Sequence, residues 1–342
     1  MLQSKAGILF FLALGFFAEL PFSASVAQGL SYRLGAEGGW SRSSFSSLLT
    51  RTSPVVRLNG RVKYGGKSRR NSWFLQARFR PDIFLTDDLP TFSRFSLQGS
   101  FLQKFRATRW RFTAAHERQQ ISAFNSDILI RISQIGSQAS WSFHRSNALQ
   151  FSLDFIRRTV NDPLDSRLNA VLTRLALQRA FSSSTTFSAG LYLEKFDIQR
   201  HSAAFSERND GWRYGPEISL AYKRRIVLSG NYRFLRHQSE VTTAPSHEQW
   251  LRLLFGKILS PRWSLFFLTD YFFRNYSISG NAPAALVFAP LDTENRIFLK
   301  IERDFSASIT AFFRIGFLSE NFIATEQSLS SWRGTVGVAI NK

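Results

Sequence analysis

Apolar and polar residues alternate along almost the whole chain. Leu30, Tyr32, Leu34, Ala36 and Trp40 interleave with Ser31, Arg33, Gly35, Glu37 and Gly39, the pattern of a strand with one apolar and one polar face. The same period of two recurs with Val56, Leu58, Val62 and Tyr64 against Arg57, Asn59, Arg61 and Lys63, and with Trp73, Leu75, Ala77 and Phe79 against Gln76, Arg78 and Arg80. It continues through Leu149 to Phe155 and Phe187 to Leu193, and closes the chain with Trp332, Val336, Val338 and Ile340 against Arg333, Thr335 and Asn341. Beyond residue 30 no stretch has helical periodicity, and no second domain is marked.

The connections predict how these strands are arranged. Short turn clusters near Gly65 to Asn71, Arg106 to Arg109, Arg145 to Asn147, Ser182 to Thr185, Lys223 to Arg225, Ser260 to Arg262 and Phe305 to Ser308 recur about every 40 residues, the length of one hairpin plus one return. Longer polar segments, Gln199 to Gly211, Gln238 to Glu248 and Ser277 to Asp292, fall between them. Short turns at one end and long loops at the other are the arrangement of a membrane barrel with periplasmic turns and extracellular loops. Spacing predicts a single all-β domain, a transmembrane antiparallel up-and-down β-barrel of about 16 strands (14 to 18, an even number). Ser41 to Pro54 and Ala115 to Asp127 are the poorly patterned stretches.

Tryptophan supplies an independent check. Trp40, Trp212, Trp250 and Trp332 fall at loop-side strand ends, whereas Trp73, Trp110, Trp141 and Trp263 fall beside the short turns. Two aromatic girdles at the membrane interfaces account for both groups; a soluble sandwich would place its core tryptophans mid-strand.

The first residues are read as an address. Lys5 precedes the apolar run Gly7 to Leu20, Pro21 ends it, and Ser25-Val26-Ala27 offers small residues before Gln28. This predicts a cleavable signal peptide over 1–27 and a barrel over 28–342. The run is shorter than the ~20 apolar residues that a membrane-spanning helix needs. The chain of 342 residues contains 44 Lys and Arg against 24 Asp and Glu, a net charge of +20, and no Cys. Without Cys there is no disulfide framework, thiolate metal site or Cys nucleophile. Cleavage removes one base, Lys5, and one acid, Glu19, so the charge belongs to the exported domain. Outside the cytoplasm such a charge does not imply nucleic acid.

Leader, alternation, girdles and loop asymmetry together resemble Gram-negative outer-membrane β-barrels of the porin-like type. The resemblance covers the whole chain after the leader at the level of the superfamily. It implies an integral outer-membrane location, contact with outer-membrane lipid and lipopolysaccharide, and insertion by the barrel-assembly machinery. Barrels of this type usually finish on an aromatic residue, whereas this chain ends Val336-Gly337-Val338-Ala339-Ile340-Asn341-Lys342, with Ile340 in that place.

Placing the polar phase of each strand inside predicts a pore lined by Arg57, Arg61, Arg78, Arg80, Arg109, Arg111, Arg131, Arg174, Arg213, Arg233, Arg252, Arg274, Arg296, Arg314 and Arg333. Fewer acids follow by the same rule: Glu37, Asp154, Glu194, Glu217, Asp270, Glu294 and Glu302. An arginine-lined channel concentrates anions and grips carboxylate, phosphate or sulfate with a planar fork. The expectation is passive, anion-preferring passage of small acidic solutes or acidic oligosaccharides. The alternative is a closed structural or surface-assembly barrel whose arginines brace the wall through ion pairs.

Catalysis has two candidate sites. His144-Arg145-Ser146-Asn147 and His237-Gln238-Ser239-Glu240 each put His and Ser on one strand face, where His could activate Ser. The first resembles the His-x-Ser-Asn pattern of lipid-hydrolysing barrels, but it sits at a short turn rather than toward lipid; the second has Glu240 or Glu248 as an orienting carboxylate. No catalytic residue is assigned, and an outer-membrane lipid hydrolase stands as the second alternative. His116, His144, His201, His237 and His247 lack ligand spacing, and Gly35, Gly38 and Gly39 lie inside a strand, so neither a metal nor a nucleotide cofactor is implied. Within Ser277 to Asp292, the mildly apolar Ala284 to Phe288 is a candidate constriction.

Overall fold

A computed structural model describes residues 27–45, 49–85, 91–123, 126–161, 165–201, 206–242, 244–275, 295–322 and 327–341. Residues 1–26 of the signal peptide expected over 1–27, Glu294 and the segment Ser277 to Asp292 lie outside them. The described residues form β1 (Ala27–Phe45), β2 (Leu49–Lys67), β3 (Asn71–Phe84), β4 (Thr91–Lys104), β5 (Thr108–Ala123), β6 (Ser126–Ser142), β7 (Asn147–Asn161) and β8 (Asp165–Ala180). The chain continues through β9 (Thr185–His201), β10 (Ser206–Lys223), β11 (Ile226–Ser239), β12 (Ser246–Ser260), β13 (Trp263–Asn275), β14 (Asn295–Asp304), β15 (Ile309–Phe322) and β16 (Gln327–Asn341). Each strand pairs antiparallel with its sequence neighbours, and β1 pairs with β16 to close the barrel. Sixteen strands is the number that the spacing predicts.

Closure follows from the alternation. Strands of 10 to 19 residues bury one face inside and turn the other outward, and joining β1 to β16 leaves no unpaired edge. The outer face is apolar: Leu34, Leu58, Phe79, Phe155, Leu191, Phe313 and Val336 are all more than 40% exposed. In a soluble protein such a belt would be an aggregation surface; in hydrocarbon it is the solvated face. The inner face carries the buried polar groups, among them Glu37, Arg57, Asp82, Glu194, Arg213, His237 and Glu248.

One end of the barrel carries the short turns between β2 and β3, β4 and β5, β6 and β7, and so on through β14 and β15; the other carries the longest connection, 276–294. Several segments that read as loop in the sequence are strand. β9 runs to His201 and β10 resumes at Ser206, so Gln199 to Gly211 is largely a continued hairpin, as are the poorly patterned Ser41 to Pro54 and Ala115 to Asp127. The alternation of polarity is lost there because both faces become polar above the apolar belt, while the ladder continues.

Candidate functional site

The inner wall holds the charged side chains, and register decides which of them reach it. In β1, Glu37 lies on the inner face; its ladder partner is Arg57 in β2, and Arg57 in turn stands opposite Asp82 in β3. Arg57 donates two bonds to Asp82 at 2.5 Å and one to Glu37 at 3.1 Å. From the far side of the closure, Arg314 of β15 and Thr335 of β16 donate to Glu37, and Arg333 of β16 donates to Asp82 at 2.8 Å. Glu37 and Asp82 share Arg57; Thr335 meets the one oxygen that Arg57 leaves, Glu37 Oε2, while Arg314 and Asn59 add donors to Glu37 Oε1 and Arg333 adds one to Asp82 Oδ2. Such saturation is what lets carboxylates sit buried.

A second network faces it from the opposite wall, since β2 and β10 are eight strands apart in the closed order. Arg213 of β10 donates to Glu194 of β9 at 2.7 Å and to Glu248 of β12 at 3.0 Å. Glu248 also accepts from His237 Nδ1 at 2.9 Å and from Trp250 Nε1 at 3.2 Å, and Tyr192 donates to Glu194. Phe196 lies against Arg213 at 4.5 Å and His237 at 5.2 Å. Gly211 makes room for that ring, because a Cβ there would overlap it. Nearer the turns, Arg233 bonds Glu217 at 2.8 Å and Arg174 approaches the same carboxylate at 3.7 Å. A small recess of ≈ 120 Å³ beside them is lined by Gln150, Ser152, Arg174, Ser188, Glu217 and Ser219.

Around the rest of the wall, Asp270 accepts from Arg252 and Arg296, Glu302 from Arg33 and Lys300, and Glu117 from Arg94. The β2 to β5 sector differs on its turn-side half. Arg61 stands opposite Arg78 in the ladder, and Lys63, Lys104, Arg109 and Arg111 share their face. None of these six has a carboxylate at ion-pair distance among the described residues. Arg61, Arg78, Arg109 and Arg111 are exposed although they point inward, so the lumen beside them is open to solvent. Among the described residues no segment crosses the lumen.

The expected arginines sort by register. Arg57, Arg61, Arg78, Arg80, Arg109, Arg111, Arg174, Arg213, Arg233, Arg252, Arg296, Arg314 and Arg333 lie on the inner face. The side chain of Arg274 lies outside the described residues. Arg131 is a correction: it stands opposite Arg118, whose neighbour Glu117 is the inward one, so Arg131 points outward. Asp82, Glu117 and Glu248, absent from the expected set of inner acids, are there; the alternation carries them, since Asp82 lies two residues from Arg80 and four from Arg78.

Trp73, Trp110, Trp141 and Trp263 face outward beside the short turns, and Trp40, Trp212 and Trp332 face outward five or six residues inside the loop-side ends of their strands. Trp250 is the second correction. It shares the inner face with Arg252 and Glu248 and packs on Phe272 at 4.3 Å, so it belongs to the wall network rather than a girdle.

The two His-x-Ser steps differ in their surroundings. His144 Nδ1 meets Ser146 Oγ at 3.0 Å in an exposed turn and also accepts from the Ser146 amide, a local turn closure. His237 is fully buried and directed at Glu248, while Ser239 bonds Thr242 instead. No cluster of His, Asp or Glu suited to a metal occurs among the described residues.

No protein-family model matches the chain, and no curated protein matches it. Solved structures resemble it in fold. OprB of Pseudomonas putida is 9% identical, with 93% of this chain and 94% of that one covered and a TM-score of 0.49. OccAB4 of Acinetobacter baumannii is 8% identical over 92% and 98% of the two chains, TM-score 0.43. OpdL of Pseudomonas aeruginosa is 10% identical over 91% and 99%, TM-score 0.40. By its own architecture the chain is a closed, 16-stranded, up-and-down antiparallel β-barrel with an apolar belt outside and charge inside.

Proposed function

We propose that this barrel is an integral outer-membrane channel that passes small anionic solutes passively. The observation that carries the reading is the uncompensated cationic sector, Arg61, Lys63, Arg78, Lys104, Arg109 and Arg111, on the turn-side half of the inner wall. Sixteen strands leave a lumen wider than side chains fill. Inward side chains such as Arg252, 56% exposed, and Arg80, 43% exposed, stand in space that solvent reaches. A fixed row of guanidinium groups there raises the local anion concentration and supplies forks suited to carboxylate, phosphate or sulfate.

The other arginines support a different role. Arg57 and Arg213, both buried, neutralise carboxylates drawn from neighbouring strands and brace the wall. Bracing and attraction are thus divided between two arginine sets rather than competing for one. Planar-bilayer recording of the purified protein under a KCl gradient tests the proposal. Conductance with a reversal potential on the chloride side is expected; absence of conductance, or cation preference, overturns it.

A further inference from the structure

The inner wall is not polar all the way round. On the turn-side half of β12 to β14 the inward positions are apolar: Leu254 stands opposite Leu268 and Leu268 opposite Phe298, so three neighbouring strands carry one apolar row. Arg252, Asp270 and Arg296 fix the phase, because each lies two residues from one of the row and all three meet in one inward ion-pair cluster. Phe266 extends the row toward the turns, its ring against Gly256, where a Cβ would come within 3.1 Å of it. Trp250 and Phe272, with ring centroids 4.3 Å apart, extend it toward the loops.

Leu254, Phe266, Leu268 and Phe298 are all partly exposed, so this apolar surface meets the lumen. Such side chains suit the lipid face of a barrel, and a column of water and small ions gains nothing from them. The strip lies across the lumen from the cationic sector: β4 and β12, like β5 and β13, are eight strands apart in the closed order. Both surfaces also lie toward the same end, since Arg61, Arg78, Arg111 and the four apolar residues are each within seven residues of the turn-side end of their strand. A small hydrophilic anion would use only the basic side of this passage. An amphipathic anion uses both.

We infer that the turn-side lumen is a site for amphipathic monoanions, carboxylates that carry a short alkyl chain. The inference rests on the channel reading and names the solute class within it. The alkyl chain lies along Leu254, Leu268 and Phe298, while the field of the basic sector turns the carboxylate to the other side of the passage. Complete burial of one methylene is worth about fourfold in affinity, so a wall that covers one side of the chain gives about twofold. Four added methylenes then amount to roughly tenfold or more.

The test is planar-bilayer recording of the purified barrel in KCl with butyrate, hexanoate and octanoate added in turn. Octanoate is expected to interrupt the chloride current at a concentration roughly tenfold or more below butyrate, with hexanoate between them. In the L254Q/L268Q/F298Q variant the three acids should act within about threefold of one another, while the reversal potential stays that of the wild type. Equal potency of the three acids on the wild type, or an undiminished chain-length series in the variant, overturns the site. If the barrel carries no current or prefers cations, the channel reading fails, and fluorine NMR of 8-fluorooctanoate with the barrel in nanodiscs reads the site by itself. Line broadening beyond that of empty nanodiscs, lost in the variant, sustains the site; no excess broadening overturns it. If the triple variant fails to fold, L268Q takes its place beside the wild-type chain-length series.

Discussion

Arg61 of β2 stands directly opposite Arg78 of β3 on the inner wall, with no carboxylate at ion-pair distance from either among the described residues. Like charges facing each other across a ladder are destabilising by a few tenths to about 1 kcal/mol. A wall shaped only for stability would have placed an acid there, as it did beside Arg57 and Arg213. The pair therefore separates two properties that ion-pair networks leave entangled.

Replacing Arg78 with Gln is expected to raise barrel stability slightly, by up to about 1 kcal/mol, and to move the reversal potential toward zero. Replacing Arg61 as well should move it further. Urea unfolding in detergent and bilayer recording read the two effects on one preparation. Unchanged selectivity in the double variant would count against this sector as the selective one.

Arg57→Met should have the opposite profile. It leaves Glu37 and Asp82 buried with fewer donors, a change of the kind that costs 3–5 kcal/mol, of order 3 here because Arg314 and Arg333 remain. A large drop in the unfolding midpoint is expected, and a shift below about 1 kcal/mol would show that the network does not brace the wall.

A double-mutant cycle on Arg213 and Glu248 is expected to give a coupling of about 1.5–3 kcal/mol, because both groups are buried. The same cycle on Arg208 and Asp197, where the arginine is 62% exposed, should give no measurable coupling. Equal couplings at the two sites would mean that burial does not govern these pairs.

Single-tryptophan variants in vesicles of brominated lipid distinguish the two faces. Trp110, Trp141 and Trp212 point outward and should be strongly quenched, whereas Trp250, which donates to Glu248 inside, should not. Strong quenching of Trp250 would place that side of β12 in lipid.

Much of this structure is legible in the sequence. The alternation of period two specifies each strand, the spacing of turns gives their number, and the phase of Arg57, Arg80 or Arg213 gives the face. Two misplacements have a common cause, and the alternation itself exposes it. Trp250 and Arg252 are two residues apart and must share a face, so a girdle tryptophan and a pore arginine were never compatible there. Arg131 is ten residues from the outward Trp141, and the same parity turns it outward. Polarity misleads at that height because above the apolar belt both faces are polar. The networks themselves were not legible, because Glu37 meets Arg314 across 277 positions of chain, and only closure brings them together.

The network around Glu37 and Asp82 straddles the junction of the first and last strands, and this bears on how the barrel is completed. Until β16 docks on β1, Glu37 lacks Thr335, and Asp82 lacks Arg333. The last strand in the chain thus carries groups that complete the pairing of charges on the first three. Closure acts as an electrostatic latch: without the β1–β16 junction the seam would hold two underpaired carboxylates.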